Sequence, residues 1–342
     1  MKLTHLLSST IGSTIWILSS VQLTFANTTP LPPLPGIRFI PPQSEETNPF
    51  NPDVNSNLNQ PNNQYPPSEP LKFGKPVSLL DTQIRQLMNR YKSLSPGMFF
   101  VDLQTGDYLD INGDRIFSAA STIKFPILVA LFEEIEAGRI RLDELLVERA
   151  DLKVGGSGDL QYKPAGSKFT VLETATKMMT ISDNVATNMI IDRLGGKNVL
   201  NKRFRHWGLQ QTQINHLLVD EYGTNKTSAK DLVKLAALVV NNQLINENSR
   251  THIYNMMGNC HNQSLLPKGL GTGAKIYHKT GTLRFVLGDA GIVKTASGKV
   301  YLAGIIVQRP NHDESAIRFI REVSRLVYNY FESPQNLTLK SI

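Results

Sequence analysis

Ser121 and Lys124 stand three residues apart in the stretch AASTIKF, and as a pair they are suited to acyl transfer. On a helix, positions three apart share a face, so the lysine amine can reach the serine hydroxyl one turn away. The start of a helix also presents free backbone N–H groups and a positive dipole end, where a developing oxyanion is best stabilised. Alone, an S-x-x-K pattern arises roughly once in a few hundred positions, and Ser121 would read as an N-cap. Two tripeptides follow it in order. Ser182-Asp183-Asn184 comes 61 residues later, between MMTI and VATNMII, and Lys279-Thr280-Gly281 another 97 residues on, after AKIYH. Singly, the first reads as another N-cap and the second as a turn. A given tripeptide is expected about once in several thousand positions, so three in this order on suitable elements point to one site.

The elements that must hold these residues are legible from periodicity. SLLDTQIRQLMNRY repeats apolar residues at helical spacing, while MFFVDLQTG and DYLDING read as two strands joined by a glycine turn. Ser121 to Ile135 reads as a helix, and further helices are expected at VLETATKMMTIS, VATNMIIDRLGG, KNVLNKRFRHWGL and TSAKDLVKLAALVVNN. From AKIYHKTGT onward strands return, with an Ala-Ser-Gly hairpin turn, and DESAIRFIREVSRLVYNYF closes the chain as an amphipathic helix. Strands at both ends with helices between them predict an α+β domain, in which both ends build an antiparallel sheet and the middle forms a helical lobe. A break between helices at Ser182 would hold polar side chains at the edge of that lobe.

Outside the domain the composition changes. Residues 1–26 carry one lysine, an apolar stretch diluted by Ser and Thr, and Thr24-Phe25-Ala26 as a small-residue exit. This is the pattern of an export signal, with an uncleaved membrane anchor as the alternative. Residues 27–76 hold most of the 19 prolines together with Asn, Gln and Ser, and read as a disordered tether. The catalytic domain is expected at 77–335, exported to the periplasm or cell envelope. The single cysteine, Cys260, allows no intramolecular disulfide, and its neighbours offer no metal-ligand spacing. It reads as a buried structural thiol. A net charge of +7 is spread without an aromatic-basic repeat, so nucleic acid is not an expected partner.

The three motifs together resemble those of the class A β-lactamase and penicillin-binding protein superfamily. The resemblance runs from about Val77 to Phe331 and includes ATNMIIDRLGG after the second motif and GDAGIV after the third. It is closest to the penicillin-binding protein A type of D,D-peptidase. It implies a five-stranded antiparallel sheet flanked by helices, with an all-helical lobe and the site between them, and no cofactor. In the implied roles, Ser121 is the nucleophile and neutral Lys124 its base, while Ser182 relays the proton to the leaving nitrogen. Asn184 would bind the substrate amide. Lys279, Thr280, Gly281 and Thr282 would line the substrate site, with Lys279 attracting the free carboxylate of a D-Ala-D-Ala stem peptide or a β-lactam. Backbone N–H groups of Ser121 and Thr282 would form the oxyanion hole. Arg284 and Arg309 are further carboxylate candidates, although surface exposure is the commoner state of arginine.

What resolves the acyl-serine separates the two enzyme classes. Class A lactamases use a glutamate in an E-x-x-L-N phrase on a loop between the second and third motifs. The corresponding stretch here, HWGLQQTQINHLLVDEYGTN, has no such phrase, and Leu218 falls near the expected glutamate. Asp220 and Glu221 lie beyond it and read as loop-turn acids. The expectation is therefore a D,D-carboxypeptidase acylated by β-lactams. The alternative is a serine β-lactamase with Glu221 as the base, and a non-turnover penicillin-binding receptor comes third.

Overall fold

The computed structural model describes residues 69–333. Helix α1 (Ser78–Met88) leads into strands β1 (Ser95–Asp102) and β2 (Tyr108–Ile111), which are joined through a left-handed Gly106. Strand β3 (Phe117–Ser118) and a 3-10 turn, Ala120–Ile123, deliver the chain to helix α2 (Lys124–Glu136). Strands β4 (Leu145–Val147) and β5 (Lys168–Thr170) pair as a small ribbon, followed by helices α3 (Val171–Thr180), α4 (Asn184–Arg193) and α5 (Lys197–His206). Strand β6 (Lys226–Thr227) pairs back onto β3, and helices α6 (Ala229–Val240) and α7 (Glu247–Gly258) follow. Strands β7 (Lys275–Leu283), β8 (Val286–Lys294) and β9 (Val300–Gln308) and helix α8 (Ser315–Glu332) complete it.

The main sheet is antiparallel and five-stranded in the order β2-β1-β9-β8-β7, so strands from the two ends of the domain meet at the β1–β9 pairing. Alternation along β1 divides the core. Met98 and Phe100 join a cluster with Leu80 and Ile84 of α1 and with Phe319, Ile320 and Val323 of α8. Phe99 and Val101 point the other way, into the cluster built on α2, α4 and α6. Each such fully buried side chain contributes about 1.5–3 kcal/mol from area removed from water. Helix α2 is buried on all sides from Lys124 to Phe132, so it is the axis of the helical lobe rather than a surface helix. Pro126 lies in its first turn, where a missing N–H breaks no helical bond.

Two features depart from the sequence reading. No element was assigned to Glu247–Gly258, yet α7 forms there, started by Asn246, whose side chain accepts from the Ser249 N–H at 3.1 Å. Its buried set, Ser249, Ile253, Met256 and Met257, falls at helical spacing, but only three of the four are apolar, which makes the stripe weak in the sequence. The packed domain also begins before Val77. Leu71 is buried, Gly74 N–H donates to Gly106 carbonyl at 2.8 Å, and Phe73 packs edge-on against Tyr108 with ring centres 5.2 Å apart. The expected tether thus ends earlier than residue 76, because the β1–β2 turn supplies partners for its last residues. The expected export signal and the rest of the tether lie outside the described residues. Among the described residues, no helix is long and apolar enough to cross a membrane.

Candidate active site

The sheet edge and the helical lobe meet at the turn that carries Ser121. Ala119 N–H donates to Asn225 carbonyl at 2.8 Å, which ties the turn to the loop before β6. Ala120 then takes a left-handed φ of 46°, uncommon for a residue with a side chain, and the helix start follows. Strand β7 lies against the same turn. A Cβ at Gly281 would come within 3.0 Å of Ala119 O and Thr122 N, so the absence of a side chain there lets strand and turn approach.

Lys124 has no exposed surface. Its Nζ lies 3.2 Å from Ser121 Oγ, 3.0 Å from Ser182 Oγ, 2.6 Å from Ser182 carbonyl and 2.9 Å from Asn184 Oδ1. The two carbonyl oxygens can only accept, so they take two N–H donors, and a neutral amine then turns its lone pair to a hydroxyl. Burial first, and then the charge of Lys279, push the Lys124 pKa well below the ordinary lysine value, against an opposing pull from Asp183. Burial also lowers Lys279, opposed by Cys260 and Asp289.

Ser182 sits in the gap between α3 and α4 with a left-handed φ of 59°. Residues held in this region store about 1–3 kcal/mol of strain and persist only where their surroundings over-determine them. Asp183 supplies that restraint. Fully buried, it caps α4 through Ala186 N–H at 2.8 Å and accepts from Leu160 N–H at 2.9 Å. The N-cap reading of this tripeptide is therefore correct for Asp183, while Ser182 on one side and Asn184 on the other reach Lys124.

The residues gather around a cavity of about 190 Å³ lined by Ser121, Ser182, Lys279, Thr280 and Thr282. Lys124, Asn184 and Gly281 sit behind this lining. The Asn184 nitrogen donates one N–H to Gly155 carbonyl at 3.1 Å and its oxygen accepts from Lys124, so its side chain holds the Lys124 amine in place and keeps a second N–H donor. Gly281 likewise acts by close approach to the Ser121 turn. Arg284 is exposed, as expected for a surface arginine. Arg309 is buried at 7% exposure and donates to the carbonyls of Leu283 and Asp313 at 3.1 and 3.2 Å, bracing the end of β7.

The rest of the lining, Cys260, His261 and Asn262 together with Ser157, Thr180 and Ile181, carries no motif and so is not expected from the sequence. Cys260 is buried as the sequence suggested. Also missed was a fully buried pair below Lys279: His278 Nδ1 lies 2.7 Å from Asp289 Oδ1. These two sit diagonally across the β7–β8 register, a proximity invisible without the pairing. A larger groove of about 590 Å³ on the helical lobe, lined by Glu133, Lys202 and Trp207 among others, contains no serine–lysine pair.

The loop before β6 disposes of its acids. Asp220 accepts from Thr224 N–H and hydroxyl, both at 2.9 Å, and from Asn225 N–H at 2.6 Å, which makes it the staple of the turn. Glu221 is exposed, and Leu218 is buried with its backbone held on both sides by Asn188 at 2.9 and 2.6 Å. No carboxylate is among the described residues lining the cavity.

The chain is similar to a family model, to a curated protein and to two solved structures. Residues 79–331 match the model of the Beta-lactamase enzyme family. The β-lactamase BRO-1 of Moraxella catarrhalis is 24% identical over 257 residues, covering 68% of this chain and 79% of that protein. Among solved structures, PBP-A is 46% identical, with a TM-score of 0.75 over 77% of this chain and 99% of that one. A leucine-to-glutamate mutant of PBP-A, as an acyl-enzyme complex with penicillin G, is 45% identical with the same TM-score and coverage.

Proposed function

The chain belongs to the Beta-lactamase enzyme family, and within it we propose a D,D-carboxypeptidase that acts on D-Ala-D-Ala stem peptides and is acylated by β-lactams. The observation that carries this reading is the buried Lys124 in contact with both Ser121 and Ser182, beside a cavity whose lining holds no carboxylate. The likeness to PBP-A supports it.

In the proposed reaction Ser121 Oγ attacks the carbonyl of the penultimate D-Ala as Lys124 Nζ takes its proton. The N–H groups of Ser121 and Thr282 hold the oxyanion. Collapse of the tetrahedral adduct breaks the C–N bond, and the proton passes from Lys124 through Ser182 to the departing D-Ala nitrogen. Lys279, with Thr280 and Thr282, attracts the terminal carboxylate, and a β-lactam presents its own carboxylate to the same group. Water resolves the peptide acyl-enzyme. The penicilloyl ester is long-lived, because the cavity lining holds no carboxylate to activate water and Glu221 is exposed outside that lining. The export-type N terminus supports a site of action in the periplasm or cell envelope, where the stem peptides are found.

The test is intact-mass spectrometry of the full chain with benzylpenicillin, alongside release of D-Ala from a stem-peptide analogue. A persistent adduct with peptide turnover is expected, and Ser121→Ala should abolish both. Rapid adduct loss with consumption of penicillin would overturn the reading in favour of a β-lactamase. A stable adduct without peptide turnover would overturn it in favour of a receptor.

A further inference from the structure

Cys260, His261 and Asn262 line the same cavity as Ser121, yet they stand in an irregular segment between α7 and β7. His261 N–H donates to Thr180 carbonyl of α3 at 2.9 Å, and a second set of bonds holds the segment from below the sheet edge. Gln263 Nε2 donates to Cys260 carbonyl and lies 3.3 Å from His278 Nε2. The Cys260 carbonyl can only accept, so the NH₂ end of Gln263 faces it and His278 Nε2 is an acceptor. The imidazole is therefore neutral with its proton on Nδ1, donated to Asp289 Oδ1 at 2.7 Å. The other Asp289 oxygen accepts from Leu266 N–H at 3.1 Å, which anchors the same segment a few residues further along. His278 and Asp289 have no exposed surface, so the chain of bonds is rooted in the core.

We infer that Asp289, His278 and Gln263 act together as positioning residues that fix the Cys260–Asn262 wall, making Gln263 a determinant of acyl-donor binding. The inference rests on the proposed acyl-transfer reading of the cavity. In it, the wall lines the cavity that receives the acyl donor, while Ser121, Lys124 and Ser182 make no hydrogen bond to Gln263, His278 or Asp289.

Gln263→Ala tests this without disturbing the buried pair. In the full chain, the dissociation constant of benzylpenicillin before acylation should rise about fivefold, the effect of losing one ordinary hydrogen bond, with the limiting acylation rate unchanged. Cys260 is the sole cysteine and is buried, so its reaction with a disulfide reagent reports the wall directly. It should accelerate at least about tenfold, as expected for a local opening, with no matching fall in melting temperature. An unchanged thiol rate, or an unchanged dissociation constant, overturns the inference. If the wild-type chain forms no adduct at all, the acyl-transfer reading fails, and the thiol rate alone decides the relay.

Discussion

The Lys124 amine lies 3.2 Å from the Ser121 hydroxyl, across the junction where a 3-10 turn becomes α2, and it does so without any exposed surface. A lysine in water would be an ammonium with nothing to accept a proton; burial beside a second cation turns it into a base.

Because the Lys279 charge is one of the two causes lowering the Lys124 pKa, Lys279→Gln should raise that pKa. At a given pH less Lys124 is then neutral, so the acid limb of the limiting acylation rate moves toward alkaline pH. Measuring the rate at saturating benzylpenicillin separates this from weaker binding. A limb that stays still or moves toward acid would contradict the electrostatic coupling.

Asn184→Ala removes an oxygen 2.9 Å from Lys124 Nζ while leaving the cavity lining intact. The limiting acylation rate is expected to fall about tenfold, near the upper end for one hydrogen bond, with substrate affinity preserved. If affinity falls and the rate holds, Asn184 binds substrate after all.

Gly281→Val places methyl groups where even a Cβ would stand 3.0 Å from Ala119 O and Thr122 N. Overpacking of this kind costs about 1–3 kcal/mol, and here the strain falls on the Ser121 turn. Acylation should drop by more than about tenfold, given such a loss at the reacting centre, while far-UV circular dichroism stays native. Wild-type acylation in this variant would mean the close approach is not required.

The two adjacent acids on the loop before β6 should respond in opposite ways. Asp220→Ala leaves three donors without their acceptor and should lower stability by about 1–3 kcal/mol, read by urea unfolding. Glu221→Gln, on the surface, should leave both stability and penicilloyl deacylation within about twofold of wild type. Stalled deacylation in Glu221→Gln would restore that residue as a catalyst.

Most helices and the long strands were readable in advance because their signals are local. The apolar stripe of α8 and the alternation in β1 each follow from a few consecutive residues. Helix α7 was not, since its partly polar buried face takes its meaning from α3 and β7, which it packs against.

From the sequence alone, Ser121, Lys124, Ser182 and Lys279 stand out by type, order and local element as candidates for one site. The structure brings Ser121, Ser182 and Lys279 to one cavity lining, with Lys124 behind it in contact with both serines. The lowered pKa of Lys124 came with the tertiary structure, since its burial and its proximity to the Lys279 charge exist only after folding. Folding also moved Asn184 and Gly281 behind the lining, turned Asp220 into a staple, and joined His278 to Asp289. Apart from the Asp220 turn, each of those roles depends on a partner 11 to more than 150 residues away, and contacts of that kind leave no pattern in a short linear window.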